Sequence, residues 1–337
     1  MKSAIEIVDS LEAAAALLPE WRALWLASEN ATPFQSPYWL LGWWEAFAPG
    51  ELRIIAVRED GRLVGVAPLY REEVQYGPRL LPLGISLSDY VDVLIDSTAE
   101  TAGAAIASAL AGCDDIDSVE WGELPPNASA LRITAPLGWE MFAQAGSACP
   151  VAQLPRDPAQ LAQVLSPSRR RHLKTARNRI ARRGKAKIIP GEESTAAALL
   201  TELIRLHTAA WQARGDPGVF SDPRVAAFHG AALPRLMREG IVRLYALIVA
   251  GAVTAVYYGF QHRNRAYAYL SGYDPEFAFE SPGALLLAHA MEQAIQEGAE
   301  GFHLLRGREA YKYEWGGEDR VNTRLTLARK AERRAYG

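Results

Sequence analysis

Residues 53–70, RIIAVREDGRLVGVAPLY, align without a gap on residues 243–260, RLYALIVAGAVTAVYYGF, 190 positions further along the chain. Each copy is an apolar strand, a glycine-bearing turn (Asp60-Gly61 and Ala250-Gly251) and a second apolar strand. The flanks repeat too. Phe34-Gln35-Ser36-Pro37 echoes Phe220-Ser221-Asp222-Pro223, and each is followed by a helical stretch ending at Gly50 or Gly240. A solenoid repeats every ~20–50 residues, so an offset this long marks a duplicated domain. The chain must therefore fold twice into one small plan: helix, F-x-x-P turn, helix, hairpin.

The 337 residues suffice for two domains with their own cores. The expected boundaries are 1–155 and 156–337, with the joint in a proline-containing stretch near 150–158. In the first domain, helices are expected at Glu12–Leu26 and Tyr38–Phe47, the second capped by Ser36 with Pro37 at its first position. Asp60-Gly61 then turns a hairpin between Leu52–Arg58 and Arg62–Tyr70. Strands near Leu80–Pro82 and Tyr90–Ile95, an alanine-rich helix over 99–111 and a strand at 117–122 follow. The second domain repeats the plan with helices at Thr195–Ala213 and Pro223–Arg238 and strands at 241–249, 252–260 and 265–272. A helix from Pro282 to Glu297, a strand at 301–305 and a closing strand at 321–328 complete it. This order indicates an α/β (α+β) chain of two similar domains, each a mixed, mostly antiparallel sheet flanked by helices.

A net charge of −3 exerts no general pull toward DNA or acidic membranes. Cys113 and Cys149 are the only cysteines, which fits a reducing compartment. The N-terminus lacks a leader pattern and no apolar run has membrane length, so the expected location is cytoplasmic, with no membrane span. No histidine pair has metal-ligand spacing, so no metal is expected. Positive charge gathers in one place. Ser168–Lys187 holds ten lysines and arginines, with Leu173, Ala176 and Ile180 at helical spacing. That pattern predicts a basic helix at 168–183 with one apolar seam, opening the second domain.

Three places can carry chemistry. Ser281-Pro282-Gly283-Ala284 opens a helix directly after a strand and loop, where free N–H groups and the helix dipole favour phosphate and Gly283 permits close approach. The bland alternative is an ordinary capped helix. Arg306–Gly316 mixes cations, aromatics and glycine as functional loops do. Lys312, between two tyrosines, could stabilise developing negative charge or be a surface lysine. His303 reads as a base or a satisfied core residue. Asp89 and Asp92, in Asp89-Tyr90-Val91-Asp92, read as anchor or base, or as solvated turn acids.

Taken in order, the motifs are F-Q-S-P-x-W, the D-G hairpin, D-Y-x-D, the basic helix, W-x-x-R-G, S-G-Y-D-P-E-F, S-P-G-A-L-L and R-G-x-E-x-Y-K-Y-x-W-G. From about Trp21 to Leu327 this series resembles the CelD/BcsL-type GNAT acyltransferases, relatives of the FemAB peptidoglycan-bridge aminoacyltransferases. The resemblance implies two tandem acyl-CoA N-acyltransferase folds and direct acyl transfer to an amine or hydroxyl. Acyl-CoA (acetyl-CoA) would be the co-substrate, with no tightly bound cofactor. The implied acceptor is an amino sugar or similar cell-envelope or exopolysaccharide precursor. Lys312 would face the reacting carbonyl as an electrophile, with Asp89 and His303 as further catalytic candidates. Ser281, Pro282, Gly283 and Ala284 would hold the coenzyme pyrophosphate, and Asp92, Trp211, Arg214, Tyr273, Arg306 and Tyr311 would bind substrate. The alternatives are an aminoacyl-tRNA donor with a peptidoglycan-precursor acceptor, or a non-catalytic protein that binds polysaccharide precursors. Either a monomer or a homodimer is compatible with this reading, and DNA is not an expected partner.

Overall fold

The computed structural model describes residues 3–75 and 77–330. Two compact units emerge, one of residues up to Ser147 together with those from Val321 on, the other of Ala148–Arg320. Along the first run β1 (Ser3–Val8), α1 (Leu11–Ala27), α2 (Pro37–Phe47), β2 (Glu51–Glu59), β3 (Arg62–Glu72), β4 (Arg79–Pro82), β5 (Leu94–Ile95), α3 (Ala102–Ala111), β6 (Ser118–Leu124) and β7 (Trp139–Gln153). Then come α4 (Leu161–Val164), α5 (Pro167–Arg183), β8 (Ala186–Pro190), α6 (Glu193–Gln212), α7 (Pro223–Arg238), β9 (Val242–Val249), β10 (Ala252–His262) and β11 (Arg265–Tyr273). The last are α8 (Pro282–Gln296), β12 (Gly301–His303), α9 (Ala310–Glu314) and β13 (Gly317–Arg329).

The two units share one plan. Strand order is β1-β2-β3-β4-β6-β13 in the first, with β5 on β3, and β8-β9-β10-β11-β12-β7 in the second. Equivalent strands β4–β6 and β11–β12 run parallel, and the other described pairs are antiparallel. The repeated hairpins agree in detail. In both, the turn residues are left-handed, with φ of 47° and 86° at Asp60 and Gly61 and of 50° and 90° at Ala250 and Gly251. Two such residues give the turn whose twist matches its strands. Each hairpin also has a bulge at the same place. Pairing steps from Val57↔Gly65 to Arg58↔Leu63 around Val64, and from Leu247↔Ala255 to Ile248↔Val253 around Thr254. The extra residue's carbonyl accepts from Asp96 N in one copy and Asp274 N in the other, both at 2.8 Å. The flanking motif holds as well, since Phe34 and Phe220 are buried before helices capped by Ser36 and Asp222 with proline in the first turn.

Several expectations change. The stretch around Pro150 lies inside β7 rather than in a linker, and the Pro150 carbonyl accepts from Leu304 N at 2.9 Å. The chain divides between Ser147 and Ala148, earlier than the expected joint. The strand expected to close the second unit pairs with β6 of the first, Leu325 opposite Trp121. Val151–Gln153 of β7 pair with β12 instead. The closing strands are thus exchanged between the units. Only Leu94–Ile95 of the expected Tyr90–Ile95 strand is extended in a sheet; the chain before it is pinned by Gln35 Nε2 donating to Tyr90 O and Val91 N donating to Glu123 O.

In the first unit α3 packs Ile106 and Leu110 against Val57, Leu69 and Trp121. In the second, the apolar seam of the basic helix, Leu173, Ala176 and Ile180, joins Leu247, Leu286, Met291 and Trp315. Burying each such large side chain is worth about 1.5–3 kcal/mol, which docks a helix otherwise rich in cations. No helix among the described residues is long and apolar enough to cross a membrane.

Candidate active-site cleft

In the second unit β11 and β12 pair only over Arg265–Tyr267 and Gly301–His303. Beyond that point they part. β12 gives way to Leu304, which bonds to Pro150, and then to Leu305 and Gly307 at positive φ. On β11, pairing to β10 steps from Ala268↔Gly259 to Leu270↔Tyr258, so Tyr269 is an extra residue. A bulge re-aims the strand. The opening between the strands is a cavity of about 230 Å³, lined by Ala268–Ser271, Tyr257, Gly283, Ala284, Leu287, Leu304, Arg169, Tyr311 and Trp315.

One end of the cleft is the start of α8. Ser281 is left-handed (φ 55°, ψ 52°) and Pro282 occupies the first turn. A Cβ built on Gly283 would meet nothing within 4 Å, so the space beside this backbone is open. The expected seat at Ser281, Pro282, Gly283 and Ala284 therefore borders the cleft through its two small residues. The loop leading into α8 is clasped by the basic helix. The Arg179 guanidinium lies 3.7 Å from the Phe279 ring centroid and donates to the Phe279 carbonyl at 2.9 Å. The Arg183 guanidinium lies 4.5 Å from the Phe277 ring, and its Nε is 3.6 Å from Glu280 Oε1. At the other end of α5, buried Arg169 stacks on Trp315 at 5.0 Å and ion-pairs with Glu314.

Lys312 has a different task from the expected one. It is 3% exposed, and its ammonium donates to the carbonyls of Leu305 (3.0 Å), Arg306 and Gly307 (3.2 Å), with Glu309 Oε2 at 3.0 Å. An ammonium has three protons. All three are engaged by the loop that leaves β12, so none is left for a reacting carbonyl, and Lys312 acts as a latch on that loop. Arg306 enters this network through its carbonyl. Its neighbour Tyr311 does line the cleft, and burial followed by Glu309 raises its phenol pKa while Arg169 lowers it. The hydroxyl stays protonated at neutral pH.

His303 is not suited to be a base. Its ring stacks on Tyr267 with centroids 4.6 Å apart, and burial, then Arg265 and Arg320, bring its pKa down to about 3. Such an imidazole has little affinity for a substrate proton. Tyr273 does come together with Trp211 and Arg214, which lie far earlier in the chain. Arg214 Nη2 donates to Tyr273 Oη at 2.7 Å and the guanidinium lies 5.8 Å from both rings.

Asp89 and Asp92 belong to the first unit. Asp89 is half-buried and its carbonyl accepts from Asn322 at 3.3 Å. The Asp92 carboxylate accepts from the backbone N–H of Val93, Ser129 and Ala130, each at 2.8 Å. It ties down the 129–132 turn rather than waiting for substrate, though it borders a cavity of about 600 Å³ with Asn30, Glu100 and Arg132. Burial outweighs those bonds and pushes its pKa up to about 7.

Sequence reasoning missed Tyr257 and Tyr269 as cleft residues, and reached Arg169 and Trp315 only as members of the basic helix and of the Arg306–Gly316 segment. Strand alternation flags Tyr257 and Ala268, whereas a bulge at Tyr269 has no sequence signature. Arg169 lies four residues before Leu173 and so shares the apolar seam, the one available signal that it turns inward. No cluster of metal-ligating side chains occurs among the described residues.

Residues 167–313 match the sequence family described as an acetyltransferase (GNAT) domain. No curated protein matches the chain by sequence. Among solved structures, FemX aligns over 96% of this chain and 97% of its own, with TM-score 0.68 and 13% identity. L-PGS from Bacillus licheniformis covers 93% and 91% with TM-score 0.56 and 12% identity. A tandem GNAT protein from the clavulanic acid biosynthesis pathway covers 97% and 98% with TM-score 0.50 and 15% identity. At these identities the likeness is one of fold. The chain has two GNAT-like units in tandem, and the match to the acetyltransferase (GNAT) domain falls on the second.

Proposed function

We propose that the protein transfers a short acyl group from acyl-CoA to an amine or hydroxyl in the cleft between β11 and β12. The observation that carries this reading is the parting of two parallel strands next to a bulge and an open, glycine-bearing helix start. A donor's pyrophosphate would sit on the N–H groups of Gly283 and Ala284, in the favourable field of the α8 terminus. Its extended amide-bearing arm would pair with the β11 edge that β12 leaves open, as a peptide adds to a sheet edge. As the acceptor attacks, the thioester oxygen gains charge, and a backbone N–H on the edge of β11 that β12 leaves open would receive it. Tyr311, protonated at neutral pH, would donate to the departing thiolate, and its phenolate would be reprotonated by the proton the acceptor loses. The cavity of about 230 Å³ is smaller than the ~300–1,000 Å³ of drug-sized sites, which favours acetyl or a similarly short group.

An amino sugar or another cell-envelope or exopolysaccharide precursor is the proposed acceptor class, in line with the motif resemblance to CelD/BcsL-type enzymes. Trp211, Arg214 and Tyr273 offer a stacking and hydrogen-bonding surface for it. The second reading, an aminoacyl-tRNA donor, draws on the exposed cations of α5 such as Arg170, Arg171 and Lys174. Thermal shift separates the two. Stabilisation follows RT ln(1 + [L]/Kd), about 2.7 kcal/mol at a hundredfold excess. Acetyl-CoA should stabilise the protein and total tRNA should not. Stabilisation by tRNA alone would overturn the acyl-CoA reading.

A further inference from the structure

Among the described residues, Arg169 is the one charged side chain that lines the cleft between β11 and β12, and no acid shares that lining. Arg169 is 9% exposed, and its guanidinium makes a single hydrogen bond among the described residues, from Nη2 to Glu314 Oε2. Its Nε is buried without a partner. A guanidinium carries five N–H donors in a planar fork, so most of this one's bonding capacity is unused. Glu314 offsets the charge only in part, because its own side chain is 43% exposed and screened by water. The position is costly for a cation in two ways. Burying an incompletely paired charge is unfavourable, and Arg169 sits in the first turn of α5, where the helix dipole opposes positive charge. An apolar residue there would simply have extended the Leu173, Ala176 and Ile180 seam. Trp315, 5.0 Å beneath the guanidinium, fixes its plane, and the charge reaches Tyr311, whose phenol pKa it lowers.

We propose that Arg169 receives a carboxylate carried on the acyl group, so that the donor is a short dicarboxylic acyl-CoA of the malonyl or succinyl kind. This inference rests on the acyl-CoA reading above and narrows it. A thioester beside Tyr311 has its acyl chain in the same small cavity as the guanidinium. The planar fork of an arginine matches the two oxygens of a carboxylate, which a pair of its donors binds together. A site built to hydrogen-bond one group also rejects the analogue that lacks it, because the site's own polar groups are then left unpaired. Arg169 is thus a specificity-determining residue for the acyl chain.

The test is calorimetric titration of the full chain with succinyl-CoA and with butyryl-CoA, which has the same number of acyl carbons and no carboxylate. Succinyl-CoA should bind the wild type at least tenfold more tightly. In Arg169→Gln the ratio of the two affinities should fall to about one, and Arg169→Lys should keep only part of it, because an ammonium lacks the fork. Glu314→Gln, which removes the competing carboxylate at a half-exposed position, should widen the ratio. The wild-type ratio stands as a test even where a variant at Arg169 fails to fold. Muramic acid against glucosamine, an amino sugar with and without a carboxylate, asks whether the anion belongs to the acceptor instead. Equal binding of the two esters to the wild type, an unchanged ratio in folded Arg169→Gln, or a preference confined to muramic acid would each overturn the proposal and leave the donor reading standing. Binding of neither ester would overturn both.

Discussion

Replacing Lys312 by methionine separates a latch from a catalytic electrophile. Methionine keeps the apolar stem and removes the ammonium that holds the carbonyls of Leu305, Arg306 and Gly307. A buried acceptor left without its donor costs about 1–3 kcal/mol. Only the bond to Leu305 is fully buried, and water can reach the other two carbonyls in the variant. Leu305 also sits at φ 62°, a conformation that costs roughly 1–2 kcal/mol for a residue with a Cβ and that the latch helps to hold. Together these give a loss of about 3 kcal/mol. For a unit of ~150–250 residues each kcal/mol moves Tm by about 2–4 °C, so scanning calorimetry should show a drop of about 6–12 °C. Lys312→Arg should recover part of it, because a guanidinium still donates to carbonyls. A Lys312→Met protein with unchanged Tm and turnover reduced about a hundredfold would refute the latch and restore the electrophile.

Three further outcomes follow from the geometry. Arg179→Ala with Arg183→Ala removes both clasps on the loop into α8, and should raise the donor KM several-fold at nearly constant kcat. Tyr311→Phe, without the phenolic proton, should lower kcat by about tenfold to a hundredfold with KM for the donor little changed. Buried His207, His229 and His262 have pKa values brought down to about 4, 3 and 4, mainly by burial. Below pH ~6.5 the unfolded chain takes up protons that these folded imidazoles refuse, so stability falls as pH drops from ~6.5 toward 4. Each contributes up to ~1.4 kcal/mol per pH unit, and His229→Phe should flatten the measured Tm–pH slope by one proton.

The duplication was legible because it rests on local signals. Turn glycines, Ser-Pro and Asp-Pro helix starts and apolar alternation all act within a few residues, and they located both hairpins and the helices before them. β1 and β8 were missed as edge strands, where only one face is buried and the apolar run is short. Ile5 and Ile7 of β1 remain 44% and 41% exposed. The exchange of β7 and β13 was invisible for another reason. Both strands look alike to a local reading, and their partners are chosen by contacts more than a hundred residues away. In the cleft, the open space at Gly283 could be anticipated from glycine at a helix start. The task of Lys312 could not, because a sequence does not say which carbonyls an ammonium will meet. The same limit applies to Asp92, whose position in a turn suggested solvent and whose carboxylate instead binds three N–H groups.

Titration of acetyl-CoA into the wild-type chain and Gly283→Val tests the donor site most directly. Gly283 has room for a side chain, so valine should leave Tm within about a degree while occupying the space a pyrophosphate needs. The expected result is measurable binding to the wild type and at least a tenfold weaker Kd in the variant. Equal affinity in two equally stable proteins would contradict a donor seated between β11 and the start of α8.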